Sequence, residues 1–412
     1  MKGVIFDHST ILVDSRDARL VAAVRSLLEN LKAAGLNLVI FSTHPQDIDT
    51  ALKQRGFPTT DLFLTKRDVG ENKGSPIWVR TAADRLGART HELLYVGDDV
   101  LDWRNAINTA TLYLHAGWVG PLPAGVTAFV AGKPEMVWMF VTHFLLGPPR
   151  WAYALEVDKY RLQLRSLLGA KVMLPSSEPA DSFKLQDVFT HEKPVKVGKD
   201  PARNLLMLHA VTSLYLEGLI PPHSPFAVYP SSNPNKRNRV LQEFVQPVSR
   251  LFHAYFKEDL LVRASEAPDT SMERWRAREE GREPDVTFTD QANTVHVNPK
   301  YWNLIDGRTA FVFDDFTTTG MSLEWARNLL YAAGAARVIM VTVGKYPRPH
   351  TVYVPTEDSV VTPFELKQYR LEMFKRVRID MTQNSIAPLR VHRSFALWKE
   401  GKPYPAPAIV QR

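Results

Sequence analysis

Thr317-Thr318-Thr319-Gly320-Met321-Ser322 follows directly on Asp314-Asp315, and four apolar residues precede them in AFVFDDFTTTGMS, Ala310 to Ser322. Read as a buried strand running into a helix, this order sets backbone N–H groups and hydroxyls at a helix N-terminus. Orphan donors and the helix dipole there favour an anion such as phosphate. Paired carboxylates beside the loop can accept hydrogen bonds from vicinal sugar hydroxyls and help to hold Mg²⁺. A second constellation opens the chain, where VIFDHSTILVD brings Asp7 to the C-terminal end of a buried strand, the place where open α/β sheets keep their ligands. Ser42 ends another apolar run, Lys73 lies in NKGSP, and Asp98 and Asp102 lie in VGDDVLD.

The elements that must position these residues are legible as alternating short apolar runs and longer helical stretches, the pattern of βαβ units and parallel sheets. In the first series the strands are expected at 3–6, 38–41 and 93–96, with helices at 18–34, 77–86 and 137–146; Gly147-Pro148-Pro149 ends the series as a strong breaker. Residues 148–199, punctuated by Pro175, Pro179 and Pro194, read as a linker or hood. The second series, 200–346, has helices expected at 201–219, 240–255 and 322–333 and strands at 226–229, 260–263, 310–313 and 338–343. The extension 347–412 is less periodic and includes a candidate helix at 363–375.

Composition narrows the chemistry. A length of 412 residues implies two or three domains, and 45% hydrophobic with 23% charged residues fits a soluble globular chain. No apolar run reaches the roughly 18 residues of a membrane span, and the start MKGVIFDHST lacks signal-peptide features, so the expected compartment is the cytoplasm. With no cysteine, thiolate zinc sites, disulfides and cysteine nucleophiles are excluded, and any metal must be held by oxygen or imidazole. The 12 histidines form no HExxH pair. A net charge of +7 suits a polyanionic small molecule or nucleic acid. The cluster Arg370, Lys375, Arg376 and Arg378 reads first as a solvated face, with nucleic-acid contact the lesser alternative.

The segment around Asp314 resembles the signature of type I phosphoribosyltransferases, and the order of neighbouring elements matches. The resemblance implies that Asp314 and Asp315 contact the ribose hydroxyls of phosphoribosyl pyrophosphate and that Thr317 to Ser322 wrap its 5-phosphate. It also implies that the loop after strand 226–229, with Ser231, Ser232, Lys236 and Arg237, binds pyrophosphate together with Arg263. The Arg-rich stretch 265–284 stands where the family has a flexible catalytic loop. Phe316 and Thr317 replace the aliphatic pair usual in the family.

Over residues 1–147 the motifs resemble those of the haloacid dehalogenase superfamily. That resemblance implies Asp7 as the nucleophile forming an aspartyl-phosphate, Ser42 and Lys73 neutralising the phosphoryl group, and Asp7, Asp98 and Asp102 holding Mg²⁺. Phosphatases of the family place a second Asp two residues after the nucleophile as general acid and base, and here Ser9 stands instead. Loss of such a group costs about 10²-fold to 10⁴-fold in the chemical step. His8 and His44 lie close by in the sequence, with an ordinary polar lining the first reading for both.

The expected fold class is therefore α/β, with two Rossmann-like parallel-sheet domains. The expected function is a bifunctional enzyme of nucleotide metabolism: phosphoribosyl transfer to a base-like acceptor, and Mg²⁺-dependent dephosphorylation of a nucleotide. No membrane partner is expected, and type I relatives commonly form homodimers. Fusions of this composition look like those of bacterial stress-response clusters. The rival reading is a regulator or effector that senses phosphorylated sugars with one or both sites non-catalytic.

Overall fold

The computed structural model describes residues 1–14, 16–43, 48–147, 151–176, 182–190, 194–236, 239–268, 273, 276–277, 279–282 and 287–405. Strands Gly3–Asp7, Asn37–Ser42, Leu62–Thr65, Leu93–Gly97, Leu112–Ala116 and Phe129–Ala131 form one six-stranded sheet, parallel throughout. Gly3–Asp7 and Leu93–Gly97 are buried along their whole length, as the near-continuous apolar runs of a sheet covered on both faces require. The spatial order runs 62–65, 37–42, 3–7, 93–97, 112–116, 129–131. The winding therefore reverses between Gly3–Asp7 and Leu93–Gly97, where a crevice opens at the strand C-termini.

Helix Ala18–Ala33 covers one face through Val24, Leu27, Leu28 and Leu31, and Asp17 caps it by accepting the Leu20 N–H at 3.0 Å. The helix expected at 137–146 begins earlier, at Pro134, and runs as an α-helix to Phe140 and then as a π-turn over Val141–Leu145. Proline at the first helical position explains the start, since its missing N–H has no helical partner there.

A second six-stranded sheet takes the order 255–256, 225–228, 309–317, 337–345, 162–169, 153–157. Its strands Tyr255–Phe256, Pro225–Val228, Thr309–Thr317, Arg337–Lys345 and Leu162–Gly169 are parallel, and Tyr153–Val157 is antiparallel at the edge. Three expectations are corrected here. The segment 148–199 is not merely a linker, because it donates Tyr153–Val157 and Leu162–Gly169 to this sheet; the prolines that suggested a break begin only at Pro175, beyond those strands. The run at 260–263 lies outside the sheet, with Leu261–Arg263 pairing antiparallel to Val295–Val297 in a separate ribbon. No α-helix forms over 363–375, where the helical part is one 3₁₀ turn, Leu371–Met373. Strand Phe374–Ile379 instead pairs with His350–Pro355, and Phe374 buries itself against Phe288 and Trp325 while Lys375, Arg376 and Arg378 stay exposed.

The two halves share apolar packing. One core cluster joins Leu27, Leu31, Val141 and Phe144 to Leu205, Leu214, Phe226 and Phe395. Helix Ile386–Lys399 fastens the junction, with the Ser394 hydroxyl 2.8 Å from His143 Nδ1 and 3.1 Å from His209 Nε2. Among the described residues no helix is long and apolar enough to cross a membrane.

Candidate active sites

The N-terminal site lies at the crevice of the first sheet. Asp7 ends its strand beside Phe41, so Ser42 extends one residue further on the neighbouring strand, almost fully buried. Asp98 follows the strand Leu93–Gly97 on the other side. Lys73 crosses the mouth: its Nζ lies 2.7 Å from Asp7 Oδ1, 2.8 Å from Asp102 Oδ1 and 3.2 Å from Asp99 Oδ2. Asp102 is fully buried. It accepts the Tyr95 hydroxyl at 2.7 Å and the Asp98 N–H at 3.1 Å, so it organises the loop as well as Lys73. Gly97 is required here, because an added Cβ would stand 2.6 Å from the Asp102 carboxyl carbon.

The electrostatics follow from that packing. Burial opposes ionisation of Asp7, but the His8 hydrogen bond and Lys73 outweigh it and hold the carboxyl well below the usual range. The same contact with Asp7 raises the pKa of His8, whose Nδ1 lies 3.2 Å from Asp7 Oδ2. Burial and Asp7 push Asp102 up to about 7, and burial raises Asp98. Ser9 Oγ lies 2.8 Å from Asp7 Oδ2 and contacts Asp98 Oδ1. One hydroxyl proton cannot serve both oxygens. Ser9 therefore donates to one of these two carboxylates at a time.

Asp7, Asp98 and Asp102 each offer an oxygen within 4.8 Å of the others. Lys73 and a half-buried His8 do not balance these three carboxylates and Asp99, so an all-oxygen donor set of this charge fits a hard divalent cation. His44 lies outside the described residues.

The C-terminal site lies where the winding of the second sheet reverses, between Pro225–Val228 and Thr309–Thr317. Asp314 and Asp315 are half-buried within the latter strand, which does not stop at 313 as expected but stays paired through Phe316 and Thr317. Burial and the neighbouring Asp315 raise Asp314 well above the carboxylate range. The Asp315 N–H donates to Asp314 Oδ1 at 3.0 Å, and the Phe316 N–H to Asp315 Oδ1 at 2.7 Å.

Beyond them the carbonyls of Thr317, Thr318 and Thr319 are each held by a donor from residues 345–351. These donors are the Tyr346 N–H at 2.9 Å, Lys345 Nζ at 2.7 Å and the Thr351 N–H at 2.9 Å. These bonds fix the backbone of Thr317 to Thr319 immediately ahead of the helix Met321–Ala332, whose N-cap is Gly320. Successive N–H groups at a helix N-terminus form an anion-binding concavity. Met321 and Ser322 are half-buried in the first helical turn.

The other expected phosphate ligands are placed differently. Ser231 and Ser232 are half-buried in the loop after Pro225–Val228. Arg263, 6% exposed, gives its guanidinium to the Ser231 carbonyl, to Thr294 Oγ1 at 2.6 Å and to Gln291 Oε1 at 2.8 Å. It shapes the serine loop from beneath. Lys236 is exposed, and Arg237 lies outside the described residues, as do Arg274 and much of the stretch 265–284.

Three site residues escaped the reading of the sequence. Asp99 caps the helix Val100–Ile107 and touches Lys73; its adjacency to Asp98 was the available signal. Lys345 and His350 lie below the Thr317–Gly320 loop, and no local pattern marks them.

Residues 4–114 match the haloacid dehalogenase-like hydrolase family, and the N-terminal part of the chain is a haloacid dehalogenase-like hydrolase domain. The chain is similar to three solved structures. A haloacid dehalogenase-superfamily hydrolase of subfamily IA from Geobacter sulfurreducens has 13% identity, covering 33% of this chain and 94% of that one, with a TM-score of 0.26. The haloacid dehalogenase phosphatase from Thermococcus onnurineus has 17% identity, covering 33% and 96%, with a TM-score of 0.28. CbbY from Rhodobacter sphaeroides, solved with phosphate, has 18% identity, covering 28% and 54%, with a TM-score of 0.26. No curated protein matches the chain.

Proposed function

We propose that the chain is a two-site enzyme acting on phosphorylated ribose compounds. The C-terminal site takes phosphoribosyl pyrophosphate and passes its ribose 5-phosphate to a base-like acceptor, and the N-terminal site removes a phosphate. The observation that supports the first half is the pinning of the Thr317, Thr318 and Thr319 carbonyls, which fixes this loop at a helix N-terminus, where backbone donors and the dipole favour an anion. In this reading Asp314 and Asp315 receive the ribose hydroxyls. Displacement at the anomeric carbon then needs positioning and charge stabilisation, with little covalent work from the protein.

In the N-terminal site Asp7 attacks phosphorus, while Lys73 and Ser42 neutralise the phosphoryl oxygens. Asp7 and Asp98 would hold Mg²⁺ with Asp102 behind them, and that ion supplies charge neutralisation to the transferring group. A sensing role for this half is favoured by one observation, the Ser9 hydroxyl that stands in place of a carboxylate and ties Asp7 to Asp98.

Calorimetric titration with ribose 5-phosphate tests the C-terminal half. Saturable binding that is lost in Asp314→Asn/Asp315→Asn is expected; no binding by the wild-type chain discards the site. Desolvation pushes Lys345 down to about 8, so its charge is present below that pH and is lost as the pH rises through it. Since that charge underlies the phosphate loop, affinity for ribose 5-phosphate is expected to fall about threefold to tenfold between pH 7 and 9. A flat profile would remove Lys345 from the electrostatics of the site.

A further inference from the structure

Below the turn at Gly320 lies a buried polar chain that neither reaction uses. His350 is 0% exposed, and its Nε2 lies 2.8 Å from Glu324 Oε1. Glu324, on the first turn of the helix Met321–Ala332, is itself 0% exposed. Its other oxygen accepts from Arg327 Nη2 at 2.7 Å and from the Tyr353 N–H at 3.2 Å. Burial resists charge on Glu324, but Arg327 and His350 overcome it and hold its pKa near about 2. The carboxylate is therefore ionised, and His350 Nε2 must carry the proton between them.

The other ring nitrogen faces the loop. His350 Nδ1 is buried and has no hydrogen-bond partner among the described residues. It would lie 2.5 Å from a Cβ placed on Gly320, and the adjacent ring carbon would overlap that Cβ outright. Gly320 has φ of 95° and is the N-cap of the helix, a conformation open to glycine and costly to other residues. The imidazole edge thus fills the space below the left-handed turn. Orphaned buried nitrogens are rare in native proteins because each costs stability, and this one is retained against Gly320, the N-cap of the helix that follows the loop.

A buried carboxylate in the first turn of a helix is also badly placed for a neighbouring anion. It opposes the positive end of the helix dipole that the anion uses. Arg327 occupies only Oε2, while Oε1 is the oxygen that His350 covers.

We propose that His350 is a positioning residue for the phosphate group: it supports the Gly320 turn from below and covers Glu324, so that the loop presents donors and no exposed negative charge. The inference rests on the reading of this loop as a ribose 5-phosphate site. His350 touches no substrate; it acts through Gly320 and Glu324.

The test compares variants of the full chain titrated calorimetrically with ribose 5-phosphate. His350→Leu fills the volume but uncovers the carboxylate, and its Kd is expected to rise about tenfold or more. His350→Gln can place an amide N–H near the Nε2 position and is expected to stay within about threefold of wild type. His350→Leu/Glu324→Gln removes the charge together with its cover and is expected to recover most of the lost affinity. A merely structural histidine would lower the unfolding temperature in all three without this order of Kd values. Equal Kd values for wild type, His350→Leu and His350→Gln overturn the inference while leaving the site intact. Should His350→Leu fail to fold, His350→Gln against the double variant decides: binding by both supports the role, and loss in both overturns it. Absence of binding in the wild-type chain overturns the reading of the site itself, a separate result.

Discussion

Asp7→Asn is expected to lower the Mg²⁺-dependent hydrolysis of a chromogenic phosphate ester by roughly 10³-fold or more, because the amide removes the attacking oxygen anion. The substitution is nearly isosteric. Its single carbonyl can keep only one of two contacts, Lys73 at 2.7 Å on Oδ1 or the Ser9 N–H at 3.3 Å on Oδ2, and orienting it toward Lys73 keeps the shorter one. Asp7 is held ionised by His8 and Lys73 despite its burial, so the wild-type side chain attacks without first losing a proton. The check is initial rates of the two proteins at matched concentration, with unfolding temperature as the control for fold. Equal rates would strip Asp7 of the nucleophile's role.

Ser9→Asp is expected to act in the opposite direction and raise turnover by about 10²-fold to 10⁴-fold, the usual worth of a positioned general acid and base. The geometry supports this choice of position. Ser9 Oγ already reaches Asp7 Oδ2 at 2.8 Å and contacts Asp98, so a carboxyl from the same backbone position stands beside the reacting oxygen. A serine hydroxyl does not exchange protons near neutral pH, and an aspartyl-phosphate formed on the wild-type chain should therefore persist. Single-turnover measurements separate formation of that species from its hydrolysis. As base the new carboxyl is expected to speed the second step, and as acid to protonate the leaving group in the first. A rate unchanged in both steps would mean that another group, with His8 the nearest, already supplies the proton.

The sequence made both acid-bearing strands legible for the same reason. In each, a fully apolar run ends in carboxylates, and only a strand buried on both faces with its C-terminal end at a crevice accounts for that order. Asp7, Ser42, Lys73, Asp98 and Asp102 come from four separated segments; Asp7, Ser42 and Asp98 lie at or just past strand ends, and the helix Val100–Ile107 carries Asp102 back to Asp7 and Asp98.

What stayed hidden was non-local. Lys345 ends a strand among Val and Thr residues with no local motif around it; its three carbonyl partners, Thr318, Tyr346 and Arg348, appear only when the strands pair. His350 and Glu324 are 26 residues apart and meet through the packing of a hairpin on a helix. Strand Leu162–Gly169 was obscured by the prolines that follow it. The expected helix at 363–375 lost to a tertiary contact, the burial of Phe374 against Phe288 and Trp325, which local propensity does not record.

We propose a phosphoribosyl-transfer site on the second sheet. Incubation of the full chain with phosphoribosyl pyrophosphate, Mg²⁺ and a panel of purine, pyrimidine and related nitrogen bases tests it most directly, with pyrophosphate release as the readout. Release dependent on one acceptor, and abolished in Asp314→Asn/Asp315→Asn, is the expected result. Binding of phosphoribosyl pyrophosphate without release for any acceptor would contradict catalysis and leave a sensor; no binding at all would contradict the site.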